Sequence, residues 1–155
     1  MDKLFSLKGR ISRLGYWRAQ LFGMVVATLS WVLGLMASMS IGPLGGLVFV
    51  LIPVAVFIGY AAVLRRLHDR GKSVLWWWLF CTGPLALYGL AHLVMEQETP
   101  VAALEALPLA LGGFGIAIWS LVELGFRRGQ PGPNAYGEPA VAVARAPIGS
   151  PEWWA

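Results

Sequence analysis

The residues best equipped for chemistry are few, and the densest group of them is Arg65-Arg66-Leu67-His68-Asp69-Arg70-Gly71-Lys72-Ser73. His68 beside Asp69 offers an acid/base pair. Arg70, Lys72 and Ser73, with the free N–H groups of a helix opening just after them, would hold an anion, and a lipid phosphate is the natural occupant. The same residues also serve two helix ends. Arg65, Arg66 and Arg70 suit the negative end of one helix, Gly71 its C-terminal cap, and Ser73 the N-cap of the next. Asp69 can pair with Arg65 or Arg66 one turn back. Gly71-Lys72-Ser73 imitates the end of a nucleotide-binding loop, but Arg66 stands where that loop needs glycine. His68 has no second histidine or cysteine near it in sequence, so no metal site is expected. No catalytic constellation and no cofactor is expected either.

A second set of ionisable residues lies within apolar stretches, where such groups call for a functional hypothesis. Glu105 and Glu123 are 18 residues apart on one helical face. At 1.5 Å per residue they stand about 27 Å apart, too far to exchange a proton directly. Glu123 has Arg127 one turn on and reads as a paired interfacial group. Glu105 with His92 is the candidate intramembrane polar pair.

The elements that must position these groups follow from composition. Of 155 residues, 57% are hydrophobic and 13% charged, too few charged groups for a soluble globular surface. A hydrocarbon core about 30 Å thick needs about 20 apolar residues of helix. Four stretches reach that length, at about 19–40, 44–64, 74–95 and 101–126. Runs such as Val74-Leu75-Trp76-Trp77-Trp78-Leu79-Phe80 lack the alternation of barrel strands. The expectation is an all-α membrane protein, a single domain over residues 1–139 of four transmembrane helices arranged as two hairpins.

Charge sets the orientation. All 12 Lys and Arg residues fall before the first stretch, between the second and third, or after the fourth. The connections around Gly42 and around Glu96 to Pro100 have none. The positive-inside rule therefore places both termini and the central loop in the cytoplasm. Clustering between apolar runs also argues against nucleic acid as the partner of this +4 chain. Tyr16, Trp17, Tyr60, Trp76, Trp77, Trp78 and Trp119 sit near the same boundary, where amphipathic rings settle. Gly23 with Ala27, Ala55 with Gly59, and Gly113 with Ala117 would let helices approach closely.

Two flanking segments complete the polar side. Leu4, Leu7, Ile11 and Leu14 share one face at helical spacing, which predicts a short N-terminal interfacial helix. After the fourth stretch, Gly129-Gln130-Pro131-Gly132-Pro133-Asn134-Ala135-Tyr136-Gly137 predicts a series of tight turns. Residues 140–155 are expected to be a disordered cytoplasmic tail.

Three segments, taken in order, resemble one known family. They are Gly9-Arg10-Ile11-Ser12-Arg13 with Tyr16-Trp17, the 65–73 cluster with Trp76-Trp77, and Gly132-Pro133-Asn134-Ala135-Tyr136-Gly137. Together they look like the bacterial family catalogued as domain of unknown function 805. The chain departs from its pattern in having Val74-Leu75 after Ser73 and Glu138 after Gly137. The resemblance implies a small bacterial inner-membrane protein of undefined activity. All three segments lie on the side assigned to the cytoplasm by charge. The expectation is one cap in which Arg10, Arg13, Arg66, His68, Asp69 and Asn134 supply hydrogen bonds, walled by Tyr16, Trp17 and Tyr136. The leading functional reading is a non-enzymatic interaction or assembly protein whose cap binds anionic membrane lipid, a second copy or another membrane protein. The alternatives are a small oligomeric transporter or channel with helices broken at Pro53, Pro84 and Pro108, and an enzyme acting on a lipid phosphate.

Overall fold

The computed structural model describes residues 6–97 and 99–140, and all regular structure among them is helical apart from one isolated bridge between Asn134 and Gly137. Helix α1 (Arg13–Ile41) opens on Ser12, whose hydroxyl accepts from the Gly15 N–H at 3.1 Å. That bond satisfies one of the orphan donors of the first turn. The helix stops at Gly42, whose φ of 69° no helix can continue. A 3-10 segment (Gly42–Val50) with Pro43 in its first turn leads into α2 (Leu51–Asp69). The end of α2 is closed by Gly71 N–H to the His68 carbonyl at 3.0 Å and Lys72 N–H to the Leu67 carbonyl at 2.8 Å. This is the Schellman pattern that a glycine at the first post-helical position permits.

A single turn, α3 (Leu75–Trp77), widens into a π segment (Trp78–Thr82) before α4 (Gly83–Met95). Pro84 has no N–H to give to the turn before it, and the wider turn lies just upstream. Helix α5 (Ala102–Leu121) carries Pro108 in its interior and also ends in a π segment (Val122–Phe126).

Three helical runs are long and apolar enough to cross a membrane: Arg13–Asp69, Leu75–Met95 and Ala102–Phe126. Small residues set how closely they pack. A Cβ on Gly23 would lie 3.1 Å from the Ala55 carbonyl oxygen, and one on Gly113 would lie 3.3 Å from that of Pro84. The side-chain amide of Gln20 donates to the Gly59 carbonyl at 3.3 Å. Gly34 lies under the ring of Phe49, and Gly45 against the backbone of Ala37 and Ser38. The second half of α1 thus packs against the 3-10 segment, and its first half against α2.

The buried apolar core gathers towards one end, where Tyr16, Leu64, Leu67, Phe80 and Leu124 interlock with Trp17, Trp76 and Trp77 around them. Elsewhere the large apolar side chains face outward, with Met39 89% and Leu104 71% exposed. In water such a surface would drive aggregation. In hydrocarbon it carries no penalty.

Two expectations are corrected here. Residues 6–12 form no helix. Gly9 takes a φ of 84°, and the carbonyls of Gly9 and Ile11 are engaged by side chains of α2 instead of by a helical turn. Ser73 does not cap the next helix, whose N-cap is Val74 with no side-chain bond. The expected disorder of residues 141–155 lies outside the described residues.

Candidate functional site

The ends of α1, α2 and the last π segment meet with the N-terminal segment and the post-helical tail. Two buried carboxylates organise the meeting. Asp69, 4% exposed, accepts from Arg10 Nε at 3.0 Å through one oxygen and from an Arg66 Nη through the other. Glu123, 1% exposed, accepts from Arg70 Nε at 3.0 Å and from Arg127 at 2.8 Å. Lys72 Nζ lies 3.8 Å from the same carboxylate and 3.4 Å from the centre of the Trp76 ring. Burying a carboxylate is costly unless cations and hydrogen bonds compensate it. Both sites meet that condition.

The second role of the cations is to cap a helix end. The last carbonyls of a helix have no intrahelical donors and carry its negative dipole end. Here five successive carbonyls each receive a side-chain donor. Leu124 takes Arg66 Nε at 2.7 Å, Gly125 takes Trp17 Nε1 at 3.2 Å, and Phe126 takes Arg13 at 3.2 Å. Arg127 takes an Nη of Arg66, and Arg128 takes Arg70. The donors come from α1, the end of α2 and the residue after it. The widened last turn of the π segment presents the first three of these oxygens, and the two residues after it, beginning with the extended Arg127, present the others. Gly125 lets the Trp17 ring lie where a side chain would stand.

The tail is held in the same manner. Arg10 donates to the carbonyls of Gln130 and Gly132, the latter at 2.6 Å, and reaches that of Gly137 at 3.3 Å. Gln130 N–H donates to the Asp69 carbonyl at 2.8 Å. The Asn134 amide donates to the His68 carbonyl at 2.9 Å, and its own oxygen accepts the Tyr136 N–H at 2.9 Å. The Tyr136 ring stacks on the His68 imidazole with centroids 4.0 Å apart and planes 6° from parallel. His68 Nδ1 lies 3.2 Å from the Gly9 carbonyl, which requires the ring proton on Nδ1.

Arg10, Arg13, Tyr16, Trp17, Arg66, His68, Asp69, Asn134 and Tyr136 therefore share one end of the molecule. Of the proposed anion-binding set, Arg70 and Lys72 converge on a carboxylate of the chain itself, and Ser73 is exposed beside them. His92 faces Glu96 one turn on at 3.3 Å, both well exposed, while Glu105 is exposed in the first turn of α5. Sequence reasoning paired Glu123 with Arg127 but missed its reach to the central loop, and it missed Gln130 and Gly129 outright. Glu123 anchors residues of the central loop as well as Arg127. Gln130 ties the tail to Asp69. Gly129 lies so close that a Cβ there would collide with the Asp69 carboxylate. No periodicity marks a glutamine and a glycine within a turn-rich stretch, so only three-dimensional proximity reveals them.

A groove of about 880 Å³ opens between the start of α1 and the tail, lined by Arg13, Trp17, Phe126 and Arg128 among others. Outward-facing apolar helices closed at one end by compensated buried charge define a helical membrane-type protein with a polar cap. The family described as Protein of unknown function (DUF805) matches residues 4–138, and the chain belongs to it. No curated protein and no solved structure matches the chain.

Proposed function

We propose that this is a four-span protein of the bacterial inner membrane with its polar cap in the cytoplasm, acting as a non-enzymatic interaction or assembly protein. The run Arg13–Asp69 has 57 residues and as one straight helix would reach about 85 Å, nearly three hydrocarbon thicknesses. Its break at Gly42 and the contact of its two halves support two spans. Every Lys and Arg among the described residues lies at the cap end of this arrangement, which favours that end as cytoplasmic.

The observation that carries the reading is the run of five carbonyls, 124–128, each held by a side-chain donor from a distant segment. The groups that sequence offers for acid/base work or anion capture are used instead to hold the chain to itself. His68 is stacked, and Asp69, although it lines the groove of about 880 Å³, is saturated by two guanidinium groups. Such a cap presents a fixed surface. A partner protein, a second copy or an anionic membrane surface would meet it at the groove beside Trp17 and Arg128.

Two measurements test this. A reporter active only outside the cytoplasm, fused after residue 42 or residue 98, is expected to be active, and fused after residue 70 or 140 to be silent. Native mass spectrometry of the gently solubilised full chain is expected to show an oligomer or a partner protein. A lipid-free solitary monomer, or activity from the residue 70 fusion, would contradict the proposal.

A further inference from the structure

We propose that a groove beside Arg18 seats one anionic phospholipid of the cytoplasmic leaflet, an inference that rests on the four-span reading. The groove has a volume of about 580 Å³ and is lined by Ile11, Arg18, Ala19, Phe22 and Arg65, among others. That size falls within the range of small-molecule sites. Its composition divides by depth. Arg18 lies just before the apolar stretch that starts near Ala19, and Phe22 lies one turn further in on the same face. A guanidinium at headgroup level above an exposed aromatic ring at acyl-chain level matches the division within a phospholipid.

Arg18 differs from most of the other cap cations in what it does. Arg10, Arg66, Arg70, Lys72 and Arg127 are each committed to Asp69 or Glu123. Arg13 caps the Phe126 carbonyl. The Arg18 side chain is exposed and, among the described residues, makes no ion pair or hydrogen bond. Arg65, 6% exposed, adds a second positive charge to the groove wall while its Nε donates to the Ala61 carbonyl at 3.2 Å. A phosphate diester can accept two parallel N–H bonds from a guanidinium. A choline headgroup would bring its own cation towards two arginines, so a lipid of net negative charge is the better occupant.

The test uses the full chain, stripped of lipid in detergent and titrated with phosphatidylglycerol or phosphatidylcholine under native mass spectrometry. One phosphatidylglycerol is expected to be retained in preference to phosphatidylcholine. Arg18→Gln is expected to weaken that first binding event about fivefold, while Lys8→Gln, at an exposed cap cation that lines neither groove, leaves it unchanged. Both positions are exposed, and unchanged melting temperatures would establish that the variants fold. Equal retention of the two lipids, wild-type binding by Arg18→Gln, or equal weakening by both variants would overturn the seat. Reporter fusions on the same variants locate the failure: an intact pattern without lipid preference overturns the seat alone, whereas a changed pattern overturns the topology beneath it.

Discussion

The two ends of the helices solve the problem of charge in opposite ways. At the cap, Asp69 and Glu123 are almost fully buried, and each meets at least two cations, most of them drawn from distant parts of the chain. At the other end, His92 and Glu96 form a local pair with side chains 75% and 62% exposed. A pair one turn apart in an exposed position contributes little, because solvent screens it and two long side chains must be held in place. A buried carboxylate shared by distant segments is different, since removing either partner leaves an unpaired charge out of water. The difference teaches that the cap's basic residues act chiefly as internal connectors. Charge alone, which is what orientation rules count, does not reveal this.

Breaking the cap at its most connected residue is expected to have the largest effect. Arg66→Ala removes donors to Leu124, Ile11, Arg127 and Asp69, and should lower stability by about 3–5 kcal/mol, read as a fall in melting temperature in detergent. Glu123→Gln keeps the shape but removes the charge facing Arg70, Lys72 and Arg127. Those cations are more exposed than Arg66, so a loss of about 1.5–3 kcal/mol is expected by the same measurement. Gly129→Ala places a methyl group against the Asp69 carboxylate. A cost of about 1 kcal/mol is expected, at the low end for overpacking because the tail can shift, with faster proteolysis of the tail as its sign. At the opposite end, His92→Ala should change the melting temperature by less than about 0.5 kcal/mol would. A loss as large as that of Arg66→Ala would erase the contrast between the two ends.

Much of the architecture is legible in the sequence because it depends on local and lengthwise properties. Apolar run length gives the helical segments, and Gly42-Pro43 marks the break within the first long run. Arg66 with Asp69 and Glu123 with Arg127 are one turn apart on their helices, so spacing alone suggests them. Arg10 with Asp69 is separated by 59 residues and Arg70 with Glu123 by 53, and no spacing rule reaches that far. The π segments are likewise hidden, since they reflect how the turn before Pro84 and the captured carbonyls are accommodated in three dimensions. The N-terminal segment misleads for a physical reason. Its apolar spacing fits a helix, but Gly9 turns the backbone away and α2 side chains claim the carbonyls that a helix would have used.

Hydrogen exchange on Asp69→Ala tests the connector role most directly, because the Asp69 carboxylate holds Arg10 of the N-terminal segment, and the same Arg10 guanidinium holds the carbonyls of the tail. Backbone amides of residues 7–12 and of residues 129–137 should lose protection together, while amides at the centre of α5 keep theirs. Loss confined to one segment, or no loss in either, would contradict a cap built as a single connected unit.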